Sequence, residues 1–482
     1  MSRECEPVME LALGEVATIL GASCETPERL ARGYSIDSRT VTAGQLFFAI
    51  RGPRFDGHQF VTQAFERGAA GAVVEHAFRA QYPPALAARL LAVGNTTEAL
   101  QHLAQAVRRK WGKPLVAITG STGKSTTKEM LAAILARRSA VLKSQGNLNN
   151  HYGLPLTLLA VEQAHDLAVV ELAMSAPGEI ALLTRIAEPQ VGVVTNVAPV
   201  HLQFFDSVDS IAQAKWELVD NLASSATAVL NHGDARVRKF ADGFAGRTLT
   251  FGLEEGADFQ ALDLRPGSAA GTRFRVTGPG FESEISLPLP GHHNIQNAVA
   301  AIAAASLFGI SAEDCRKALG EFQPLPQRSE ILTLTGGVTI LNDCYNSNPL
   351  AMEKMLETLA AWPGAQRRIV VAGEMLELGP TSAELHRQVG RKCAGSGVDW
   401  LLAVQGNARY FLEGAQEAGL AEERGRFLED ARDAAEFCHS ILQPGDIVLV
   451  KGSRGVHLEK VVELLQSSES NVQENSKTEL SS

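Results

Sequence analysis

No two of the cysteines Cys5, Cys24, Cys315, Cys344, Cys393 and Cys438 stand in a C-x-x-C spacing, and the six are scattered along 482 residues. That spacing argues against both a zinc site and a disulfide framework, and it suits a reducing cytoplasm. No stretch approaches the ~20 uninterrupted apolar residues that a membrane-spanning helix needs. The opening Met1-Ser2-Arg3-Glu4-Cys5-Glu6 lacks a basic lead into an apolar core. Neither export nor membrane spanning is therefore expected. There is no long basic block either, and 44 Lys+Arg against 54 Asp+Glu leave a formal charge of -10. Nucleic acid is not an expected partner, and a phosphate on a substrate has to be held by local positive groups. No solenoid-type repeat is present.

What the chain does have is length enough for about three domains at the usual ~100–200 residues each. It also has one stretch of clear chemistry. The apolar run Leu115-Val116-Ala117-Ile118 is followed by Thr119-Gly120-Ser121-Thr122-Gly123-Lys124-Ser125 and then by Thr126-Thr127-Lys128-Glu129-Met130-Leu131. This predicts strand, phosphate loop and helix. The two glycines permit a sharp turn in which backbone N–H groups converge on an anion at a helix N-terminus. Lys124 supplies charge to the terminal phosphates, and Ser125 offers a hydroxyl to Mg²⁺. The full G-x-x-x-x-G-K-[ST] pattern would require Gly where Ile118 stands.

The other candidate residues cluster just past apolar runs. Residues 1–111 read as a small α/β domain, with strands within Gln45–Ile50, Ala72–Val74 and Leu90–Val93. Its polar loops, Ile36-Asp37-Ser38-Arg39-Thr40 and Arg51-Gly52-Pro53-Arg54-Phe55-Asp56-Gly57-His58, flank one strand; they are either plain turns or ligand loops at a sheet edge. In a second segment, 112–325, Leu167–Val170 ends in Glu171, and Val191–Val194 ends in Thr195-Asn196 with His201 close behind. A carboxylate suits Mg²⁺ directly, whereas an imidazole is a less usual Mg²⁺ ligand. Lys215 falls in a predicted helix, and Ser144–His151, with Asn149 and Asn150, reads as a loop or helix start whose amides bind substrate or serve as caps. Pro290–Asn297 opens an Ala-rich helix on which Asn294 and Asn297 share a face. The third segment, 326–466, carries strands near Val338–Leu341, Arg368–Ala372, Trp400–Val404 and Asp446–Val450, a further Rossmann-like unit. Its strand ends bear Asp343-Cys344-Tyr345-Asn346-Ser347-Asn348-Pro349 and Lys451-Gly452-Ser453-Arg454-Gly455. The polar stretch 467–482 is expected to be disordered.

Taken in order, the phosphate loop, Glu171, His201 with Lys215, Gly291-His292-His293-Asn294 with Asn297, Arg328 and Asp343 resemble the ATP-dependent Mur ligases, which build the peptide stem of bacterial peptidoglycan. The resemblance spans nearly the whole chain apart from the tail. The segments 343–349, 146–150 and Gly373-Glu374-Met375-Leu376-Glu377-Leu378-Gly379 are most similar to the members that add D-alanyl-D-alanine. In the motif Glu171-Leu172-Ala173-Met174-Ser175, Ala173 stands where many relatives have Gly.

The resemblance implies a three-domain α/β fold: an N-terminal UDP-substrate domain, a central P-loop ATPase-like parallel-sheet domain and a C-terminal Rossmann-like domain. It implies that Gly120, Ser121, Thr122, Gly123, Lys124, Ser125 and Thr126 hold ATP together with Asn294, Asn297, Arg328 and Asp343. Ser125, Glu171 and His201 would serve the Mg²⁺ sites, and Lys215 matches a lysine modified to a carbamate. Lys124, His201 and Lys215 would then be the catalytic set. Ser38, Arg39, Asp56, Gly57 and His58 match UDP-substrate loops, and Asn149, Asn150, Tyr345, Asn346, Asn348, Lys451, Ser453 and Arg454 would meet substrate or the incoming dipeptide. The implied reaction joins D-alanyl-D-alanine to a UDP-N-acetylmuramoyl-tripeptide through an acyl phosphate, carried out by a cytoplasmic monomer. Competing readings are the ligase for the third stem residue, a folylpolyglutamate-type ligase, and a nucleotide-dependent regulator without ligase chemistry.

Overall fold

A computed structural model describes residues 9–268 and 271–467, so the first eight residues and the Ser- and Glu-rich tail from 468 lie outside it. Its three main sheets follow the three segments of the sequence. In the first, strands Tyr34–Ser35, Leu46–Phe48, Gly71–Glu75 and Leu90–Val93 are all parallel and lie side by side in that order. Because neighbouring parallel strands end at one edge, the loops carrying Ser38 and Asp56 both leave the same edge of this sheet.

The central sheet has nine strands among the described residues. The phosphate-loop strand, Leu115–Thr119, is buried throughout and lies between Leu167–Glu171 and Val191–Val194, parallel to both. Strands so enclosed must be apolar on both faces, which is why they read as continuous runs of Val, Ile and Leu rather than as alternating patterns. From Leu115–Thr119 the chain passes to one side through Val141–Lys143 and Leu167–Glu171. It then crosses to the other side at Val191–Val194 and continues to Thr227–Asn231. The strand order thus reverses at the phosphate-loop strand, and a crevice opens beyond its carboxyl end. Past Arg247–Gly252 the sheet continues into Phe259–Ser268, Gly271–Gly278 and Phe281–Leu287, the last two paired antiparallel to their neighbours.

The third sheet places Thr339–Asn342 beside Ile447–Lys451, and that strand beside Arg368–Gly373. Trp400–Val404 and Gly425–Leu428 continue it in parallel, and Glu330–Thr333 closes the far edge antiparallel. This unit has apolar cores of its own on its two faces.

The first two units each have a core of their own and, by contrast with the third, also share one. A continuous cluster runs from Met9 and Leu11 through Leu100, Leu103 and Trp111 to Leu154, Ile180 and Leu218. Helix Thr96–Trp111 joins them, packing on helix Leu13–Leu20 on one side and on helices Gly153–Leu159 and Glu179–Ala187 on the other. Asn95 caps its start by accepting from the Thr97 and Glu98 amides, an arrangement worth about 1 kcal/mol. Arg108 on this helix is buried, and its Nε donates to the Ala187 carbonyl at 2.8 Å. The guanidinium thereby satisfies a helix end of the central unit.

Candidate functional site

The chain turns at Gly120, with φ +148°, and at Gly123, with φ +80°. Space as well as dihedral angle demands glycine here. A Cβ on Gly120 would sit 1.8 Å from Thr195 Oγ1, and one on Gly123 2.3 Å from Asn297 Oδ1. Asn196 clamps the turn, its Oδ1 accepting from the Thr122 amide at 3.0 Å and from the Thr122 hydroxyl at 3.1 Å. Helix Lys124–Leu135 then begins with no side-chain cap, so its first amides stay available to an anion beside the positive end of the helix dipole. Lys124 Nζ lies over the loop, 2.8 Å from the Gly120 carbonyl.

Glu171, at the end of the neighbouring strand and buried, accepts from Ser125 Oγ at 2.7 Å and from Asn149 Nδ2 at 3.0 Å. A hydroxyl and a carboxylate held this close are hard oxygen donors, and they fit Mg²⁺. Among the described residues no group of three or more His, Cys, Asp or Glu is placed to hold a metal alone. The remaining ligands would come from phosphate and water, the habit of Mg²⁺ at nucleotide sites.

These residues face a cleft of about 630 Å³ between the central and third units. Of the residues singled out from sequence, Ser121 to Thr126, Asn149, Glu171, His201, Asn294, Asn297, Arg328, Asp343, Tyr345, Asn346, Asn348 and Lys451 all line it. The third unit contributes through adjacent strand ends. Asp343 follows Thr339–Asn342 and Lys451 ends the strand beside it, and the two form an ion pair with the lysine almost fully buried. Asp343 Oδ1 also accepts from the Ser329 amide at 2.8 Å, and the Arg328 guanidinium lies 3.9 Å from the Tyr345 ring centroid. Asn348 caps helix Pro349–Ala360 by accepting from the Ala351 amide.

Two lysines near the loop are shifted by their surroundings. Burial pushes the Lys124 ammonium below its ordinary pKa, with Glu171 opposing and Arg328 adding to the shift. Lys215, buried in helix Val208–Asp220, is pushed well below its ordinary value by desolvation and by repulsion from Lys124. Its ammonium has no hydrogen-bond or ion-pair partner among the described residues. Desolvation and repulsion both enlarge the share of the neutral amine, the form that can add to carbon dioxide.

Other predicted residues lie apart from the cleft. Asn150 uses Oδ1 to accept from the Tyr152 and Gly153 amides at the start of helix Gly153–Leu159, so of the two readings of this asparagine the structure shows the cap. Ser453 Oγ accepts from the Leu376 amide at 2.9 Å, and Arg454 donates to Gln327 Oε1 at 2.9 Å. In the first unit, His58 is buried between Asp56 Oδ1, 2.6 Å from its Nδ1, and the Glu75 amide, which donates to Nε2. Gly57 passes so close to Ile50 that a Cβ would lie 2.7 Å from its nitrogen. Asp56, Gly57 and His58 thus shape the loop, whereas Arg39, paired with Asp37 at 2.7 Å, is exposed. Ser38 is tied to Gln63 Oε1 at 2.8 Å.

Sequence reasoning assigned no part to Asn196, nor to Asn231, whose Nδ2 donates to the Thr195 carbonyl at 2.6 Å. It also overlooked Asp234, which accepts from the Val197 amide at 2.7 Å, and gave no role to His293, which stands in the motif 291–294 and lines the cleft with an unpartnered buried Nδ1. Asn231 ends an apolar strand just as Glu171 does, so the same signal could have found it.

Comparison with known proteins gives a consistent picture. Family models match residues 31–108 (Mur ligase family, catalytic domain), 118–305 (Mur ligase middle domain) and 327–454 (Mur ligase, glutamate ligase domain). The UDP-N-acetylmuramoyl-tripeptide--D-alanyl-D-alanine ligase of Bacillus subtilis is 34% identical over 97% of this chain and 99% of its own. The Escherichia coli ligase of the same name is 32% identical over 95% and 99%. A crystal structure of MurF from Acinetobacter baumannii superimposes with a TM-score of 0.87 at 30% identity, over 96% of this chain and 100% of that one. MurF ligase from Thermotoga maritima, solved with ADP, gives 0.81 at 28% identity over 92% and 98%. With its three-unit α/β architecture and a cleft built from the phosphate loop and the third sheet, this chain belongs to the Mur ligase family.

Proposed function

We propose that this chain is an ATP-dependent ligase that joins D-alanyl-D-alanine to UDP-N-acetylmuramoyl-tripeptide and so makes the pentapeptide precursor of peptidoglycan. The observation that carries the reading is the cleft shared by Lys124, Ser125, Glu171, Asn297, Arg328 and Asp343, in a chain alignable end to end with ligases of that name. The division of labour is assigned to units 1–111, 112–325 and 326–466, the first holding the UDP moiety at its loop edge through residues such as Ser38 and Arg39.

ATP lies with its phosphates on the loop amides and on Lys124, while Asn294, Asn297 and Arg328 hold its other end. Ser125 and Glu171, with His201, would hold Mg²⁺, which when bound supplies Lewis-acid neutralisation of phosphate charge. The tripeptide's terminal carboxylate attacks the γ-phosphorus, giving ADP and an acyl phosphate. The dipeptide amine then attacks the acyl carbon, phosphate leaves, and an amide forms. Charge gathers on the phosphoryl oxygens in the first step, where Lys124 and the uncapped helix N-terminus would oppose it. Enclosure between two units aligns the reactants and keeps water from the acyl phosphate. Lys215 as a carbamate would convert a buried cation into an oxygen donor, relieving its repulsion with Lys124.

Among the described residues no helix is long and apolar enough to cross a membrane, and the large apolar side chains left exposed, Leu30, Phe55, Phe204, Leu376 and Leu464, are few. These features support a monomer, and the free cysteines suit the cytoplasm. The reading is tested by incubating the protein with ATP, Mg²⁺, D-alanyl-D-alanine and UDP-N-acetylmuramoyl-tripeptides ending in diaminopimelate or lysine, following phosphate and product mass together. Dipeptide-dependent pentapeptide with phosphate in equal amount is expected. Phosphate release without an amide product, or activity only with a folate acceptor, would overturn the reading.

A further inference from the structure

The central and third units meet at a second point beside the nucleotide cleft. His201, in the loop after Val191–Val194, has φ +56°, and Glu377, in the loop after Arg368–Gly373, has φ +63°. Left-handed backbone at non-glycine residues costs of order 1–3 kcal/mol and persists where surrounding contacts impose it. Here two such residues face each other. His201 Nδ1 lies 2.6 Å from Glu377 Oε2, and the Gln203 amide donates to the Glu377 carbonyl at 3.0 Å. Gly379 follows so tightly that a Cβ on it would sit 3.1 Å from the Leu202 carbonyl oxygen.

The His201 and Glu377 side chains are 31% and 50% exposed, so their charge attraction alone adds little to stability. Orientation is another matter. With Nδ1 engaged by a carboxylate, Nε2 is the ring nitrogen left for another partner, and His201 lines the cleft that holds Ser125 and Glu171. Carboxylates paired in this manner with a metal-binding histidine fix its tautomer and raise its basicity.

We propose that Glu377 is a positioning residue through which the third unit, once docked, sets His201 for the metal bound at Ser125 and Glu171, directly or through a water. Metal affinity and closure are then two sides of one coupling free energy, each strengthening the other. This rests on the ligase reading, in which a divalent cation accompanies the nucleotide.

The test uses Mn²⁺ as probe. Free Mn²⁺ is counted by electron paramagnetic resonance in the full-length protein with ADP, for wild type, Glu377→Ala and Glu377→Gln, with circular dichroism checking the fold. Glu377→Ala should bind Mn²⁺ about 10- to 100-fold more weakly. Glu377→Gln should fall between, because its amide oxygen still accepts from Nδ1–H but carries no charge. Small-angle scattering with ADP and Mn²⁺ should show a larger radius of gyration for the alanine variant. Unchanged Mn²⁺ affinity in a folded Glu377→Ala would overturn the inference and leave the ligase reading intact. Failure of ligation with every tripeptide would remove the ligase reading while the Mn²⁺ comparison still decided the role of Glu377.

Discussion

Lys124 is attracted by the buried carboxylate of Glu171 and repelled by Arg328, and it in turn repels the buried Lys215. A carbamate on Lys215, or a polyphosphate beside Lys124, would relieve that repulsion. Lys215→Ala should therefore lower ligation by about 10²-fold or more, and the protein incubated with ¹³C-bicarbonate should lose a carbamate carbon resonance that the wild type shows. A wild type with no such resonance would refute the modification. Elsewhere, His386 is fully buried, donates from Nδ1 to the Ser382 carbonyl and accepts the Met375 amide at Nε2, so it is held neutral. Burial lowers its pKa from 6.5 to about 4. The unfolded chain binds the proton first on acidification, so this contribution is complete above pH 6.5 and is lost as pH falls towards 4. Its upper bound is about 3 kcal/mol, and urea midpoints between pH 7 and pH 4.5 should fall less steeply in His386→Gln. The charge of Lys124 and the hydroxyl of Ser125 were legible in the sequence because the motif states their chemistry. Lys215 was legible only through family resemblance, since a lysine in a helical pattern gives no sign of burial beside another lysine.

At the scale of elements, the strand–loop–helix unit from Leu115 to Leu135 is where sequence and structure agree most closely, because apolar runs and glycines specify it locally. Gly123→Ala puts a Cβ into Asn297 at a left-handed φ, so the loop has to move off the Ala-rich helix His292–Ser306. Nucleotide affinity, read with a fluorescent ADP analogue, should fall at least ~10-fold by the loss of about 1.4 kcal/mol or more of aligned amide contacts. Binding of the UDP-tripeptide to the first unit should persist. The strands from Arg247 to Leu287 were not anticipated, and the reason is physical. Arg247–Gly252 and Phe259–Ser268 lead from the parallel sheet into a partly solvated antiparallel end with Arg273, Arg275, Glu282 and Glu284 facing outward, which lacks the continuous apolar runs that marked the buried parallel strands. Nor could pattern decide between cap and ligand at Asn149 and Asn150, since both uses need the same amide.

The whole molecule is built as two bodies. The first and central units share a core from Met9 to Phe240, while the third has separate cores and is joined through a linker in which Gln327 and Ser329 take φ +62° and +52°. Arg328, between them, lines the cleft, so rotation of the third unit would carry a cleft-lining cation with it. Scattering should accordingly show a smaller radius of gyration with ADP, Mg²⁺ and UDP-tripeptide than without, and no change would contradict closure. The three-unit order was readable because each unit brings its own set of strands; the fused core was not, because it depends on which faces of helix Thr96–Trp111 are shared. The central claim, that the cleft transfers a phosphoryl group to a carboxylate before the amide forms, is most directly tested with UDP-tripeptide carrying ¹⁸O in its terminal carboxylate. With both carboxylate oxygens labelled, each phosphate released during dipeptide-dependent ligation should carry one ¹⁸O atom. Amide formation with unlabelled phosphate would contradict it.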